Sequence, residues 1–214
     1  MHKFRYIFIG FMLTFLSSWI GLVILPVWGL GNFKQVPDPA TGEMIPPNLT
    51  SLERTGRDVY IANGCIYCHS QQVHPARVRT DIERGWGIRR TVARDYMTQE
   101  IAQMGTMRTG PDLANIGVRN PSETWHYLHL YNPQITSKGS IMPPYPFLFD
   151  TRKKDPENPS PDALNFPEGF GPGPGYEVTP TQEMRALVAY LQSLKLSSHE
   201  IPEAAAARVE SQAE

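Results

Sequence analysis

The chain has 214 residues and a formal net charge of −1, with 20 basic and 21 acidic side chains. This length suits one domain with accessory segments, and the balanced charge gives no support for nucleic-acid binding. Ten of the twenty prolines lie between Pro143 and Pro180. That much proline limits regular structure, so we expect a mainly α-helical, loop-rich domain.

The N-terminal segment has no charged residue from Tyr6 to Leu30, and two basic residues, Lys3 and Arg5, precede this run. Its 25 residues are enough to cross a hydrocarbon core of about 30 Å as a helix. A cleaved signal peptide is the alternative, but its apolar region usually has only about 7–15 residues and ends at a small-residue site. Trp28 suits a membrane interface instead. We expect residues 1–33 to be an uncleaved anchor with a cytoplasmic N-terminus and the remaining chain in the periplasm.

Two helices are predicted in the rest of the chain, on either side of a long loop-rich region. Residues 34–49 should form a linker, because prolines and glycine discourage helix there. One helix should begin near Thr50 and run towards Gly64. The other should run from about Pro180 to Leu194, because Thr179-Pro180-Thr181-Gln182 has the pattern of a capping box and an apolar face follows at helical spacing.

Between these helices, Cys65-Ile66-Tyr67-Cys68-His69 is the C-x-x-C-H pattern of covalent haem c attachment. The two thiols, Cys65 and Cys68, can each form a thioether to a haem vinyl group, and the adjacent His69 can ligate the iron. The chain has only these two cysteines, so it can attach one haem in this way. The alternatives are a redox dithiol, half of a zinc site and a structural disulfide. A dithiol usually follows a strand of a βαβ unit, and a zinc site needs four ligands.

A helix before the haem motif and a helix at the end of the chain resemble the frame of a class I cytochrome c. In that fold the two helices cross near the haem, with small and aromatic residues at the contact. The predicted contacts are Gly56 and Tyr60 on the first helix and Leu187 and Tyr190 on the last.

The second ligand of the iron should follow the proximal stretch, which Gly110-Pro111-Asp112-Leu113 resembles. The carbonyl of Pro111 should accept a hydrogen bond from Nδ1–H of His69. Met142, in a proline-rich loop, is the predicted distal ligand, because a thioether favours Fe(II) and raises the potential. With both axial positions filled there is no site for a substrate, so the domain should transfer electrons and carry no catalytic residue. The other candidates, expected to pack or to contact haem propionates, are Met97, Met104, Met107, His74, His126 and His129.

The segment from Ala76 to Arg108 is basic, with seven arginines, four acidic residues and a formal charge of +3. Arginine forms bidentate pairs with carboxylates. We therefore predict that Arg84, Arg89 and Arg90 contact haem propionates or a partner subunit, or the anionic lipid surface. The alternative is a solvated surface loop.

Motifs spread from Arg54 to Leu148 resemble one family. They are Gly56-Arg57-Asp58-Val59-Tyr60, the segment 64–71, Pro75, Arg77, the segment 108–113, Trp125-His126, Asn132-Pro133, and Met142-Pro143 with Tyr145-Pro146. This set is similar to the membrane-anchored mono-haem subunit of cbb3-type cytochrome c oxidases, and the long insertion before residue 108 is the discriminating feature. The resemblance implies that Cys65, Cys68, His69 and Met142 hold one covalent haem c.

The same resemblance implies the function and the partners. Electrons would arrive from a further c-type cytochrome subunit or a soluble cytochrome c. They would pass to the catalytic haem-copper subunit, which reduces oxygen to water, in the bacterial inner membrane. The predicted layout is an anchor at 1–33, a linker at 34–49, a class I cytochrome c domain at 50–196 with an insertion at 71–107 and a Pro/Gly-rich loop at 150–179, and a tail at 197–214.

Three other functions fit parts of the pattern. One is the anchored mono-haem subunit of a nitric oxide reductase, which normally lacks so long an insertion. Another is a free-standing, membrane-tethered cytochrome c. The third is a thiol–disulfide or metal-binding membrane protein without haem.

Overall fold

A computed structural model describes residues 2–31, 33–38, 41–105 and 107–196, and the predicted tail at 197–214 lies outside them. Helices dominate the described chain and are accompanied by two short antiparallel strand pairs, which confirms the mainly α prediction. The helices are α1 (His2–Trp19), a π-helical segment (Ile20–Ile24), α2 (Leu25–Leu30), α3 (Ser51–Ala62), α4 (Ile116–Arg119), α5 (Glu123–Tyr131) and α6 (Gln182–Ser193). The strands are β1 (Val36–Pro37), β2 (Met44–Ile45), β3 (Phe149–Lys153) and β4 (Tyr176–Pro180).

The N-terminal helical elements join into one apolar helix over Lys3–Leu30, with 28 residues. At 1.5 Å per residue it is about 42 Å long, which exceeds the thickness of a bilayer core. None of it is buried against the rest of the protein. A continuous apolar surface of this size is unfavourable in water, and the helix is long and apolar enough to cross a membrane, as predicted.

Helix α3 begins where the sequence predicts. The hydroxyl of Thr50 accepts a hydrogen bond from the N–H of Glu53 at 3.3 Å, and the carboxylate of Glu53 accepts one from the N–H of Thr50 at 2.7 Å. This reciprocal capping box satisfies two donors that the first turn would otherwise leave unpaired. The helix therefore starts at a fixed residue and leads directly into the Cys65–His69 motif.

Helices α3 and α6 cross in direct backbone contact at Gly56. A Cβ atom at Gly56 would lie 1.9 Å from the carbonyl oxygen of Ala186, so only glycine permits this approach. Next to the crossing, the rings of Tyr60 and Tyr190 meet edge to face with centroids 5.6 Å apart. Leu187 is buried in the same core. The predicted crossing and its four residues are thus confirmed, with Ala186 as an additional contact.

Helix α6 starts slightly later than predicted. Its N-cap is Thr181, whose hydroxyl accepts a hydrogen bond from the N–H of Met184 at 3.2 Å. Pro180 belongs to strand β4 instead of the first helical turn. The prediction of Thr179 as the N-cap is wrong. The sequence Thr179-Pro180-Thr181 offers two threonines that could cap the helix, and Thr181 is the cap because Thr179 and Pro180 pair within strand β4.

The prediction of a Pro/Gly-rich loop over residues 150–179 is wrong at both ends of the segment, where the chain forms strands. Strand β3 pairs with β4 in antiparallel register, from Phe149 opposite Pro180 to Lys153 opposite Tyr176. On this pair the carboxylate of Glu177, which is buried, accepts a hydrogen bond from Nε of Arg152 at 2.6 Å. The irregular part is therefore limited to residues 154–175, and it forms the connection of a long hairpin.

The predicted linker is attached to the insertion. Strands β1 and β2 pair within it, and Ile45 packs with Val92 of the insertion in a small core. Arg94 of the insertion donates a hydrogen bond to the carbonyl of Lys34. Its guanidinium also lies 4.7 Å from the ring centroid of Phe33. The chain between the apolar helix and α3 is therefore fixed to the insertion.

Removing this attachment should expose the linker to protease. We expect Arg94→Ala to accelerate tryptic cleavage after Lys34 by roughly tenfold, because a hydrogen bond to a charged donor contributes about 1.5–3 kcal/mol and cleavage follows the population of the opened segment. Mass spectrometry of timed digests of the full chain measures the rate. Arg185→Ala is the control, since Arg185 pairs with the exposed Asp162. Equal rates in the two variants would contradict the attachment.

Candidate functional site

A cavity of about 660 Å³ lies beside the crossing of α3 and α6. Its size falls within the range of sites that enclose a large organic ligand. Five predicted residues from three separate parts of the chain line it together: Cys65, Cys68, His69, Pro111 and Met142. Tyr60 of α3 and Leu187 of α6 also line it, so the crossing forms one of its walls.

The two thiols and the imidazole are brought to the cavity by one tight turn. Residues Cys65–Tyr67 form a 3-10 turn directly after α3. The carbonyl of Cys65 accepts hydrogen bonds from the N–H groups of Cys68, at 3.2 Å, and His69, at 3.0 Å. Three side chains within five residues therefore line a single cavity, the arrangement that double thioether attachment beside an iron ligand requires.

The ring of His69 is held in one orientation. Its Nδ1 lies 2.7 Å from the carbonyl oxygen of Pro111, which agrees with the predicted contact and leaves Nε2 available to a metal. A Cβ atom at Gly110 would lie 2.2 Å from Cε1 of the same ring, so the backbone closes against it. Burial lowers the pKa of His69 more than the Pro111 carbonyl raises it. The imidazole is therefore neutral at neutral pH, as metal ligation requires.

The environment of Cys65 differs from that of a redox-active cysteine. Burial raises the pKa of the Cys65 thiol to about 11. Reactive dithiols have depressed pKa values, which make the thiolate available. The thiol–disulfide hypothesis therefore gains no support from this site.

A polar network behind the proximal stretch fixes Asp112, which is fully buried. Its carboxylate accepts hydrogen bonds from the hydroxyl of Ser70 at 2.6 Å and from the N–H groups of Gln72 at 2.7 Å and Ala114 at 2.8 Å. Because Asp112 follows Pro111 and Ser70 follows His69, the network joins the two segments whose contact orients the imidazole.

Arg108 connects this network to the insertion. It donates to the hydroxyl of Ser70 at 2.8 Å, to the carboxylate of Asp81 and to the carbonyl of Gln72. The N–H of His74 also donates to Asp81, at 2.7 Å. Burial opposes ionisation of Asp81, but these donors and the charge of Arg108 outweigh it and hold the pKa of Asp81 below its usual value.

This carboxylate should stabilise the fold in a pH-dependent way. We expect Asp81→Asn to lower the free energy of unfolding by roughly 1.5 kcal/mol at pH 7, because it removes a charged hydrogen bond of the partly buried Arg108 and leaves only the longer ion pair with Asp112, at 3.5 Å. A depressed folded-state pKa contributes stability above the unfolded value of about 3.9, and this is lost as the pH falls. The difference between wild type and Asp81→Asn should therefore begin to shrink as the pH falls towards about 3.9 and shrink further as the pH passes the lower folded-state pKa.

Denaturation of the full chain in detergent at pH 7 and pH 3.5 measures this difference. Asp162→Asn is the matched control, since Asp162 pairs with Arg185 but its side chain is 54% exposed, and exposed pairs contribute only about 0–1 kcal/mol. A difference that does not change with pH would show that the Asp81 side chain acts through packing and not through its charge.

Met142 lies in the wall formed by the loop after α5. Its N–H donates to the hydroxyl of Ser140 at 3.2 Å, and its side chain is half-buried against the main core. Among the described residues it is the only methionine that lines the cavity. Met104 and Met107 are 41% and 58% exposed, on the insertion. The structure thus brings His69 and Met142 to one cavity and leaves the other candidate methionines outside it.

The two histidines of α5 also line the cavity, but each has a ring nitrogen that is hydrogen-bonded. Nε2 of His126 lies 2.8 Å from the carbonyl oxygen of Asn120, and Nδ1 of His129 lies 2.5 Å from the hydroxyl of Thr136. The ring of His129 stacks on Trp125. These contacts are those of structural side chains. His74 lies in the insertion, outside the cavity lining.

The arginines of the insertion that were predicted to contact propionates or a partner lie outside the cavity lining. Arg89 is 1% exposed and forms a bidentate pair with Asp95, with both N–O distances at 2.9 Å. Arg84 stays on the surface, over the ring of Trp86. Because Arg84, Arg89 and Arg90 do not line the cavity, their predicted contact with haem propionates gains no support, and contact with a partner subunit or the lipid surface stays a prediction. The arginine that does line the cavity is Arg119, at the end of α4, which no sequence pattern singled out.

Comparison with known proteins identifies one family. Residues 41–162 match the family model described as cytochrome c oxidase, mono-heme subunit/FixO. The matched region contains all five predicted site residues. No curated protein matches the chain.

Proposed function

The chain belongs to the family of mono-haem subunits of cytochrome c oxidase, FixO, and from this premise we propose that it relays electrons within a cbb3-type oxidase. It takes electrons from a c-type cytochrome, either a further subunit of the complex or a soluble protein. It passes them to the catalytic haem-copper subunit, which reduces oxygen to water. Family membership implies the catalytic subunit as a partner.

One observation carries this proposal. Two thiols, an oriented imidazole and a thioether line the same cavity, although Met142 is 73 residues from His69 in the sequence. The donor set is the one that c-type attachment and His/Met ligation require. The residues present therefore fit one haem c.

Each residue has a distinct task in the proposed site. Bound haem supplies reversible one-electron transfer at its iron. Cys65 and Cys68 would attach the haem, and His69 and Met142 would be the two ligands of its iron. Pro111 holds His69 in the tautomer that presents Nε2. With both iron ligands supplied by protein side chains, the site would leave no place for oxygen or another substrate, and the haem would only accept and donate electrons.

The apolar helix Lys3–Leu30 anchors the subunit in the bacterial inner membrane. Basic residues are enriched on the cytoplasmic side of membrane helices, and Lys3 and Arg5 precede this one. The N-terminus is therefore cytoplasmic and the haem domain periplasmic. That side is also where a periplasmic cytochrome c can reach the domain.

Purification in mild detergent tests the proposal. The full chain, carrying an affinity tag at its C-terminus, is isolated from its own membranes, and its haem types, copper and oxygen uptake are measured. We expect haem c that stays with the chain on a denaturing gel, together with b-type haem, copper and oxygen consumption sensitive to cyanide.

Three results would overturn it. A chain without covalent haem would exclude every cytochrome function. Iron without copper, with nitric oxide reduction, would identify the nitric oxide reductase subunit. Haem c on a chain that never copurifies with another subunit would identify a free-standing carrier.

A further inference from the structure

The surface beside the haem-attachment motif carries almost no charge. Residues 63–72 contain no Asp, Glu, Lys or Arg, and residues 101–113 contain only Arg108 and Asp112. Both of these side chains turn inward, since Asp112 is fully buried and Arg108 pairs with Asp81. The described part of the two segments therefore presents no free charge, although 19% of the whole chain is charged.

The same two segments lie side by side. The N–H of Gln71 donates to the carbonyl of Met104 at 2.9 Å, and the N–H of Gly110 donates to the carbonyl of Cys68 at 2.9 Å. Cys68 is also exposed to solvent. The two segments therefore form one continuous surface, and this surface includes a residue to which the haem would be attached.

Large apolar side chains of these segments are exposed to solvent. Tyr67, Ile101, Met104 and Met107 are between 41% and 67% exposed. Together with Cys68 they are called here the uncharged face. The centres of protein–protein interfaces are depleted in charged residues and enriched in tyrosine and methionine. The composition of the uncharged face is therefore that of a surface that another protein covers.

The scarcity of charge indicates what kind of protein covers it. Proteins that meet by diffusion are brought together and oriented by complementary charges. Subunits that stay associated bury more hydrophobic surfaces. A large apolar surface left permanently in water would also favour aggregation. The uncharged face therefore fits a bound subunit better than a diffusing cytochrome.

The attachment of the insertion to the linker limits where this partner stands. Arg94 of the insertion donates a hydrogen bond to the carbonyl of Lys34. Lys34 follows Leu30, the end of the apolar helix, by four residues, and four residues span at most about 14 Å. The insertion is therefore held close to the end of the proposed anchor, within reach of another subunit in the same membrane.

We propose that the uncharged face binds a membrane-anchored subunit of the same complex, which contacts it through an apolar, uncharged surface. This inference rests on the proposed function, because it requires an oxidase complex around the chain. It narrows the choice between a bound subunit and a soluble cytochrome, since the bound subunit covers the exposed attachment site at Cys68. A soluble donor would have to approach the domain elsewhere.

Oxidation of methionine measures this coverage in the native protein. Chloramine-T converts an accessible methionine into its sulfoxide, and mass spectrometry of digested peptides gives the rate at each position. The tagged full chain is compared in the complex, isolated in mild detergent, and alone with its haem, after a stronger detergent has separated the subunits. Met44, on strand β2 and 48% exposed, is the matched control.

We expect Met104 and Met107 to react at least about tenfold more slowly in the complex, because a covered sulfur is inaccessible to the oxidant. Met44 should react equally in both states. The rates in the complex should not change with salt, because an apolar contact has no charges to screen. In Met107→Glu, an unpaired charge should open the contact and Met104 should lose its protection, whereas Met107→Leu should keep it.

The results that contradict the inference differ from those that contradict the proposed function. Equal rates at Met104 and Met107 in both states, in a complex that contains b-type haem and copper, would overturn the inference alone. Protection that needs added soluble cytochrome c and disappears in salt would identify a diffusing partner and also overturn it. Equal protection of Met44 would show coverage by detergent and count against it. A wild-type chain without covalent haem, or without copurified b-type haem and copper, would overturn the proposed function itself.

Discussion

Replacing Met142 with alanine is expected to change the redox properties of the chain more than any other single substitution at the site. A neutral thioether stabilises Fe(II), so its loss should lower the midpoint potential. We expect the reduction equilibrium constant to fall by at least about tenfold, and each tenfold is 59 mV for one electron. The absorption band that arises from charge transfer between a thioether and Fe(III) should disappear. Redox titration and near-infrared absorption of the oxidised full chain measure the two effects.

Two matched controls distinguish Met142 from the other methionines. Met104 and Met107 lie on the insertion, are largely exposed and do not line the cavity. Met104→Ala and Met107→Ala should retain the band and the potential of wild type. Survival of the band in Met142→Ala, or its loss in either control, would show that another methionine is the ligand. An open axial position in Met142→Ala should also bind added imidazole or cyanide, which wild type should resist.

The parts of the site that follow from local sequence could be predicted. Cys65, Cys68 and His69 lie within five residues, and a single turn fixes their relative positions. The start of α3 at Thr50 follows from a capping box that spans four residues. Pro111 and Met142 are distant from His69 in the sequence, and they were found because the order of segments resembles that of class I cytochromes c.

The role of each arginine could not be predicted in the same way. Arg89 and Arg119 are both arginines in polar segments, and nothing in their local sequence distinguishes them. Arg89 is buried because Asp95 and the backbone of Leu196 surround it, and Leu196 is 107 residues away. Arg119 reaches the cavity because the carbonyl of Asp112 holds it there. Long-range packing decides both outcomes.

The pairing of β3 with β4 could not be predicted, for a related reason. The high proline and glycine content between residues 154 and 175 correctly indicated irregular structure there, but it gave no information on the two ends. Strands β3 and β4 are more than twenty residues apart, and their pairing depends on tertiary contacts. The core shows these contacts directly, since Phe149 packs with Val178 and Leu148 beneath the hairpin.

Replacing Gly56 with alanine is expected to have the largest effect on stability. A Cβ atom there would lie 1.9 Å from the carbonyl oxygen of Ala186 and 2.8 Å from Cβ of Tyr190. No side-chain rotation can relieve these two clashes, because a backbone oxygen and a Cβ atom do not move when a side chain rotates. Helices α3 and α6 must therefore separate. Overpacking typically costs about 1–3 kcal/mol, and a backbone clash belongs at the upper end. The better helix propensity of alanine recovers at most about 1 kcal/mol, so the clash dominates.

The melting temperature of the full chain in detergent, followed by the loss of haem absorption, measures the effect of Gly56→Ala. A net cost of about 2–3 kcal/mol corresponds to roughly 4–12 °C for a protein of this size. Arg54→Ala, on the exposed face of the same helix, should stay within about 0.5 kcal/mol of wild type.

Because Tyr60 and Leu187 on the two helices line the cavity, separation of the helices should also weaken the contact between Met142 and the iron. The charge-transfer band should therefore disappear at a lower temperature than the far-ultraviolet helical signal. If the two signals instead disappeared together in Gly56→Ala, the crossing would act on global stability alone and not on the geometry of the site.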